Sequence, residues 1–157
     1  MNEVKPGSVS IYELMAHLFA EVAEEVEGRF GAAGEEAIRA AVRKFGEERG
    51  KKMALAVADA GKATTADNYL PFYDMERSEL FVAESNGDER ELRQNFSKCV
   101  FAETWAKLNM EKYGLLYCEE IDPAIARGYN EKFQCHHDKY LLKGDGCCKF
   151  KFSMEDK

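Results

Sequence analysis

Several things are missing from this chain, and each absence narrows its function. No apolar run approaches the roughly 20 residues that cross a bilayer, and the start Met1-Asn2-Glu3-Val4-Lys5 has neither the basic nor the apolar region of a secretory leader. A soluble, cytoplasmic protein is expected. Basic residues are in deficit: 22 Lys and Arg against 29 Asp and Glu leave a formal charge of -7. With no local basic patch to override it, that charge repels nucleic acid phosphates and anionic lipids, so neither is expected as a partner. The paired C-x-x-C and H-x-x-x-H spacings of structural zinc sites are absent, and adjacent pairs such as Cys147-Cys148 and His136-His137 point to opposite faces of a strand, so no metal is expected. No other cofactor is expected either. Low-complexity tracts and internal repeats are also lacking.

What is present suits one compact domain over residues 1–157, with 45% hydrophobic and 32% charged residues. The five cysteines, Cys99, Cys118, Cys135, Cys147 and Cys148, are odd in number and cannot all pair, so they read as reduced thiols.

Residues about 9–61 read as helical. Ser10-Ile11-Tyr12-Glu13 is a capping box, and Ile11, Leu14, Met15, Leu18, Val22, Val26 and Phe30 recur at helical spacing as a stripe expected to face the core. The first helix should end near Gly28 and Gly31. A second should start after Gly34 and run toward Gly61, with Ile38, Ala41, Val42 and Phe45 on its buried side. Gly46 and Gly50 inside it suggest close packing against the first helix, or a kink.

Residues about 68–153 are mixed. Leu80 to Ala83 and Leu92 to Phe96 form a hairpin candidate about Ser85-Asn86-Gly87-Asp88. Ser97 is a candidate cap for a helix carrying Phe101, Trp105 and Leu108 and closed by Gly114. Asp122-Pro123 resembles an N-cap and first helical position, opening a short helix that stops at Gly128. Phe133 to Phe152 reads as a second hairpin about Gly144-Asp145-Gly146, with Cys148, Phe150 and Phe152 inward. A two-residue turn would set Lys143 opposite Cys148 and place Leu141, Lys139, His137 and Cys135 on the same face; a three-residue loop would place His136, Asp138, Tyr140 and Leu142 there. The expected fold is α+β: two long N-terminal helices packed on an antiparallel sheet of about four strands, with shorter helices between. Such a chain leaves part of its sheet uncovered, so a homo-oligomer, most simply a two-fold dimer, is expected.

One chemical reading of the residues is a thiol site, in which Cys118 or Cys148 attacks an electrophilic carbon while a carboxylate or imidazole handles the proton. Asp122 lies four residues after Cys118, and Asp145 three before Cys148. The opposing reading makes both thiols small buried hydrophobes and both aspartates cap or turn residues.

Gly46-Glu47-Glu48-Arg49-Gly50, Cys99 with Trp105, Tyr117-Cys118-Glu119-Glu120-Ile121-Asp122, Gly128-Tyr129-Asn130 and Gly144-Asp145-Gly146-Cys147-Cys148-Lys149-Phe150-Lys151-Phe152 occur in that order. From about Gly34 to Phe152 the chain thereby resembles the family of L-2-amino-thiazoline-4-carboxylic acid hydrolase. Its last element also resembles the terminal hairpin of vinyl reductase-like sensor domains. The first resemblance implies a hydrolase that opens a small five-membered heterocycle by C–S or C–N cleavage. Cys118, Asp122 and Cys148 fall on its motif positions, with Asp145 and Cys99 close behind. His137 joins them as a candidate acid, and Arg49, Lys139 or Lys143 as a group meeting a substrate carboxylate. The alternative is a small-molecule-binding or sensory module of the same fold, without turnover.

Overall fold

The computed structural model describes residues 5–156; the start of the chain, read above as carrying no leader, lies at Met1 to Val4 outside the described residues. The first element, α1 (Ile11–Asp59), opens on the expected capping box: Ser10 Oγ accepts the Glu13 N–H at 3.1 Å, and the Glu13 carboxylate accepts the Ser10 N–H at 3.1 Å. Its helical path is broken at Gly31, where φ 58° and ψ -137° suit only glycine. The chain doubles back there, because Ala23 and Ile38 pack in one cluster with Leu116, whereas a straight helix would hold positions 23 and 38 about 22 Å apart. The two expected helices are therefore the two arms of α1. The second arm resumes before Gly34 rather than after it, and Gly34 packs against the Val26 carbonyl with no room for a Cβ.

The burial of the first arm corrects the expected stripe. Its inward face carries Ala16, Ala20 and Ala23, while Ile11, Leu14, Met15, Leu18, Val22 and Phe30 are all more than half exposed. The small alanines let the arm come close enough for Trp105 Nε1 to donate to the Ala16 carbonyl at 2.7 Å. Larger side chains on that face would hold the arm off.

Four strands, β1 (Phe81–Gly87), β2 (Glu91–Cys99), β3 (Phe133–Lys139) and β4 (Cys148–Met154), form one antiparallel sheet in the order β1-β2-β4-β3. The first hairpin turns later than Ser85–Asp88. Its strands pair as far as Gly87 with Leu92, and the Asp88 carboxylate accepts the N–H groups of Arg90 and Glu91 at 2.8 and 2.9 Å. The second hairpin uses a longer connection, with a 3-10 turn over Leu141–Lys143 and left-handed Gly144 and Gly146. Cys135 pairs with Phe152 and His137 with Phe150, so both share the inner face with Cys148. A register slip after His137 pairs Lys139 with Lys149 and removes Lys139 from that face.

The short helices are α2 (Ala66–Tyr69), α3 (Val100–Lys107), α4 (Glu111–Cys118) and α5 (Ile121–Tyr129). Three expected boundaries move. Ser97 belongs to β2, and Cys99 occupies the N-cap of α3. Gly114 lies inside α4, where a Cβ would strike the Trp105 ring. Helix α5 continues to Tyr129, and its N-cap is Glu120, so Asp122 sits within the first turn and caps nothing.

The second arm of α1 lies directly on α5. A Cβ at Gly46 would stand 2.7 Å from Ala124 Cβ, one at Gly50 2.1 Å from the Ile125 carbonyl oxygen, and one at Gly128 2.1 Å from the Glu47 carbonyl oxygen. Gly46 and Gly50 do serve close packing, but the partner is α5 and not the first helix as expected. Substituting Gly50→Ala should therefore lower stability by at least about 2 kcal/mol in urea titration, since overpacking outweighs the roughly 1 kcal/mol gained in helix propensity. An unchanged or higher midpoint would mean that the contact is not limiting.

Candidate functional site

The inner face of the sheet, the start of α3, the α4–α5 corner and the irregular stretch 70–80 enclose a cavity of 840 Å³. Each element delivers a side chain for a local reason. Cys148 and His137 come from alternating positions of paired strands, and Cys99 stands where β2 passes into α3. Cys118 ends α4, and Asp122 opens α5 across a tight corner, which brings them into the same space. Arg49 reaches the cavity from between the two glycines of α1.

Cys99, Cys118, Cys148, Asp122, His137 and Arg49 thus all line the cavity. Asp145, Lys139 and Lys143 do not. The Asp145 carboxylate accepts the Tyr140 N–H at 2.8 Å and shapes the turn. Lys143 pairs with Glu119 at 3.1 Å and lies 4.1 Å over the Tyr140 ring. Lys139 is exposed at the end of β3.

Asp122 caps nothing and is half-buried at the cavity wall, where burial pushes its carboxyl up to about 6 against the counteracting charge of Arg49. Burial also pushes Cys118 well above the ordinary thiol range and Cys99 up to about 11. Cys148 is raised too, by burial, but its sulfur accepts the Leu141 N–H at 3.3 Å, which favours the thiolate. All three thiols are therefore protonated at neutral pH, while Asp122 is mostly ionised.

His137 is stacked between Tyr140 and Phe150, with ring centroids 3.5 and 4.1 Å away. Burial drives its imidazole down to about 4, so it is neutral. Its Nδ1 faces the Cys118 carbonyl at 3.4 Å, and a carbonyl only accepts; Nδ1 carries the hydrogen, and Nε2 is a buried acceptor with no partner among the described residues.

Arg49 donates through Nε and Nη2 to both Asp74 oxygens at 2.8 and 2.7 Å, and stands 5.5 Å from the Phe45 and Tyr73 ring centres. Asp74, Tyr73 and the wall they belong to were not legible as site residues. The clue available was Pro71 followed by a polar stretch too irregular for helix or strand. Phe101 and Tyr117, also missed as site residues, form a wall shared with a second groove on the far side. No group of three or more His, Cys, Asp or Glu among the described residues is arranged to hold a metal ion, and no helix among them is long and apolar enough to cross a membrane.

A family model described as L-2-amino-thiazoline-4-carboxylic acid hydrolase matches residues 11–152. The chain belongs to this family. The L-2-amino-thiazoline-4-carboxylic acid hydrolase family name suggests an activity of that kind, and the match takes in every residue that lines the cavity. No curated protein sequence matches the chain. Among solved structures, the chain is similar to a trafficking protein particle complex subunit 3 from Naegleria fowleri, covalently bound to palmitic acid in that structure. Identity is 16% over 92% of this chain and 95% of that one, with a TM-score of 0.54, a likeness of fold alone.

The state of Asp122 has a thermodynamic consequence. Its folded carboxyl binds a proton more tightly than the ordinary value of 3.8 allows, so its contribution to stability is greatest below about pH 4 and is lost as pH rises through 6. Asp122→Asn removes the burial of that charge. Relative to the unmodified protein, the variant should gain up to about 3 kcal/mol between pH 4 and pH 8, measured by denaturation at both. A difference independent of pH would show that Asp122 titrates normally.

Proposed function

We propose that this protein hydrolyses a small five-membered heterocycle bearing a carboxylate, of the aminothiazoline carboxylate kind, by cleaving a ring C–S or C–N bond. The observation that carries this reading is the meeting of Asp122, its charge only partly offset by Arg49, with the thiols of Cys99, Cys118 and Cys148 in one cavity, in a chain of a family named for that hydrolase.

The ring carbon between sulfur and nitrogen is amidine-like and electrophilic. Cys148 is the favoured nucleophile, because the Leu141 N–H supports its developing thiolate. As its sulfur bonds to that carbon, the thiol proton passes to Asp122, the C=N electrons move to nitrogen, and Asp122 returns the proton there. The tetrahedral adduct expels ring sulfur as thiolate or ring nitrogen as amine. Water then attacks the enzyme-bound carbon and loses one proton to Asp122; the carbonyl forms as the Cys148 sulfur leaves, and the two water protons, the first by way of Asp122, end on the Cys148 sulfur and on the ring atom already expelled, which restores the enzyme. The net change is one water added across the broken bond. Asp74 occupies Nε and Nη2 of Arg49, which leaves Nη1 for the substrate carboxylate. Neutral His137, stacked on Tyr140 and Phe150, serves as part of the cavity wall and not as an acid.

A second reading is a binding module for a molecule with an apolar tail. It is favoured by the volume of the cavity, near the upper end of roughly 300–1,000 Å³ for ligand pockets, and by the palmitic acid carried by the fold neighbour.

Incubation with an aminothiazoline carboxylate separates the two. Turnover should appear as loss of substrate, with kcat/KM rising with pH about an apparent pKa near 6 as Asp122 ionises. Asp122→Asn should cost about 100-fold or more, and Cys148→Ser should abolish turnover while circular dichroism stays unchanged. No turnover, together with a Tm raised by palmitate, would establish the binding module instead.

A further inference from the structure

We infer that the outward face of the first arm of α1 is the contact surface of a two-fold homodimer. This inference is independent of the reaction proposed above. The arm is apolar on two opposed sides. Its inner side, the alanines, packs on Trp105; its outer side exposes Ile11 at 64%, Leu14 at 53%, Met15 at 51%, Leu18 at 66% and Val22 at 51%. A helix whose outer side met only water would carry polar residues there. Phe45, 47% exposed, extends the patch onto the second arm.

Shape and size favour a second copy as the occupant. Beside the ridge of the first arm runs an apolar groove of 370 Å³ between the two arms, walled by Met15 and Val22 on one side and Ala41 and Phe45 on the other. Ridge and groove therefore lie on one patch, which is what a two-fold interface needs for each copy to seat its ridge in the other's groove. Ile11, Met15, Leu18 and Val22 are spaced by four, three and four positions, a series that reads the same in reverse. An antiparallel partner thus sets Ile11 against Val22 and Met15 against Leu18, apolar on apolar. At roughly 100 Å² for each half-exposed side chain, the patch with Val9 and Phe45 offers about 700 Å² per copy, close to the roughly 800 Å² of a standard stable interface.

Charge argues against a membrane surface. Within this arm, Glu21 pairs with His17 and Glu25 with Arg29, and the chain carries -7 overall. A membrane-seeking amphipathic helix has lysine and arginine along its polar face.

Light scattering and sedimentation at micromolar concentration should give the mass of a dimer for the unmodified protein and of a monomer for Leu18→Glu, with circular dichroism unchanged. Leu18→Ala, which keeps helix propensity, provides a milder variant and should weaken the dimer at least 10-fold in Kd, so a folding defect in the first variant does not remove the test. Hydrogen exchange over residues 11–22 should accelerate on dilution into the monomer range. A monomeric unmodified protein, or a dimer whose Kd neither variant changes, would overturn the inference. So would a monomer that floats with phosphatidylcholine–phosphatidylserine vesicles, which would make the lipid surface the occupant.

Discussion

The site depends on one close approach, that of the second arm of α1 to α5. Backbone meets backbone there because Gly46, Gly50 and Gly128 present no Cβ. Gly46 would strike the Ile121 carbonyl and Ala124, and Gly50 the Ile125 carbonyl, so the contact sets the position of the first turns of α5. That turn carries Asp122, and the stretch between the two α1 glycines carries Arg49. The one cation that lowers the Asp122 carboxyl is thus supplied by the same helix contact that brings the carboxyl into the cavity.

Arg49 is committed elsewhere at the same time. Its two-pronged pair with Asp74 ties the irregular wall of the cavity to α1. The guanidinium therefore offsets only part of the cost of enclosing Asp122. A fold selected for stability alone would place an amide or an apolar residue at that position, and a carboxylate whose ionisation burial opposes, sharing a cavity with three thiols, is the pattern expected where chemistry outweighs stability.

Much of this was legible in local patterns. The capping box at Ser10, the alternation Cys148, Phe150, Phe152 and the count of strands follow from rules that act over a few residues, and the structure obeys them. The failures came where tertiary packing chose between two plausible faces. The stripe from Ile11 to Val22 has ideal helical spacing, yet the alanine face is buried, because Trp105 needs a close neighbour and alanine provides one. Asp122-Pro123 resembled a cap, but α5 starts two residues earlier, at Ile121, and this shift turns an apparent capping aspartate into a group that lines the cavity. The register of the last hairpin could not be read either, since it is set by a slip after His137 and a 3-10 turn, neither of which has a local pattern. Asp74 is likewise invisible without the fold, being paired with a residue 25 positions away.

A carboxyl held near 6 also makes the cavity a small reservoir of protons. At neutral pH about a tenth of the molecules hold the proton on Asp122. At neutral pH an anion entering beside it raises the carboxyl further and draws up to about one proton from the buffer, whereas a cation can release only the roughly one-tenth of a proton held there. The heat of binding will therefore change with the ionisation enthalpy of the buffer, and the sign of that change reports the charge of whatever the cavity takes in.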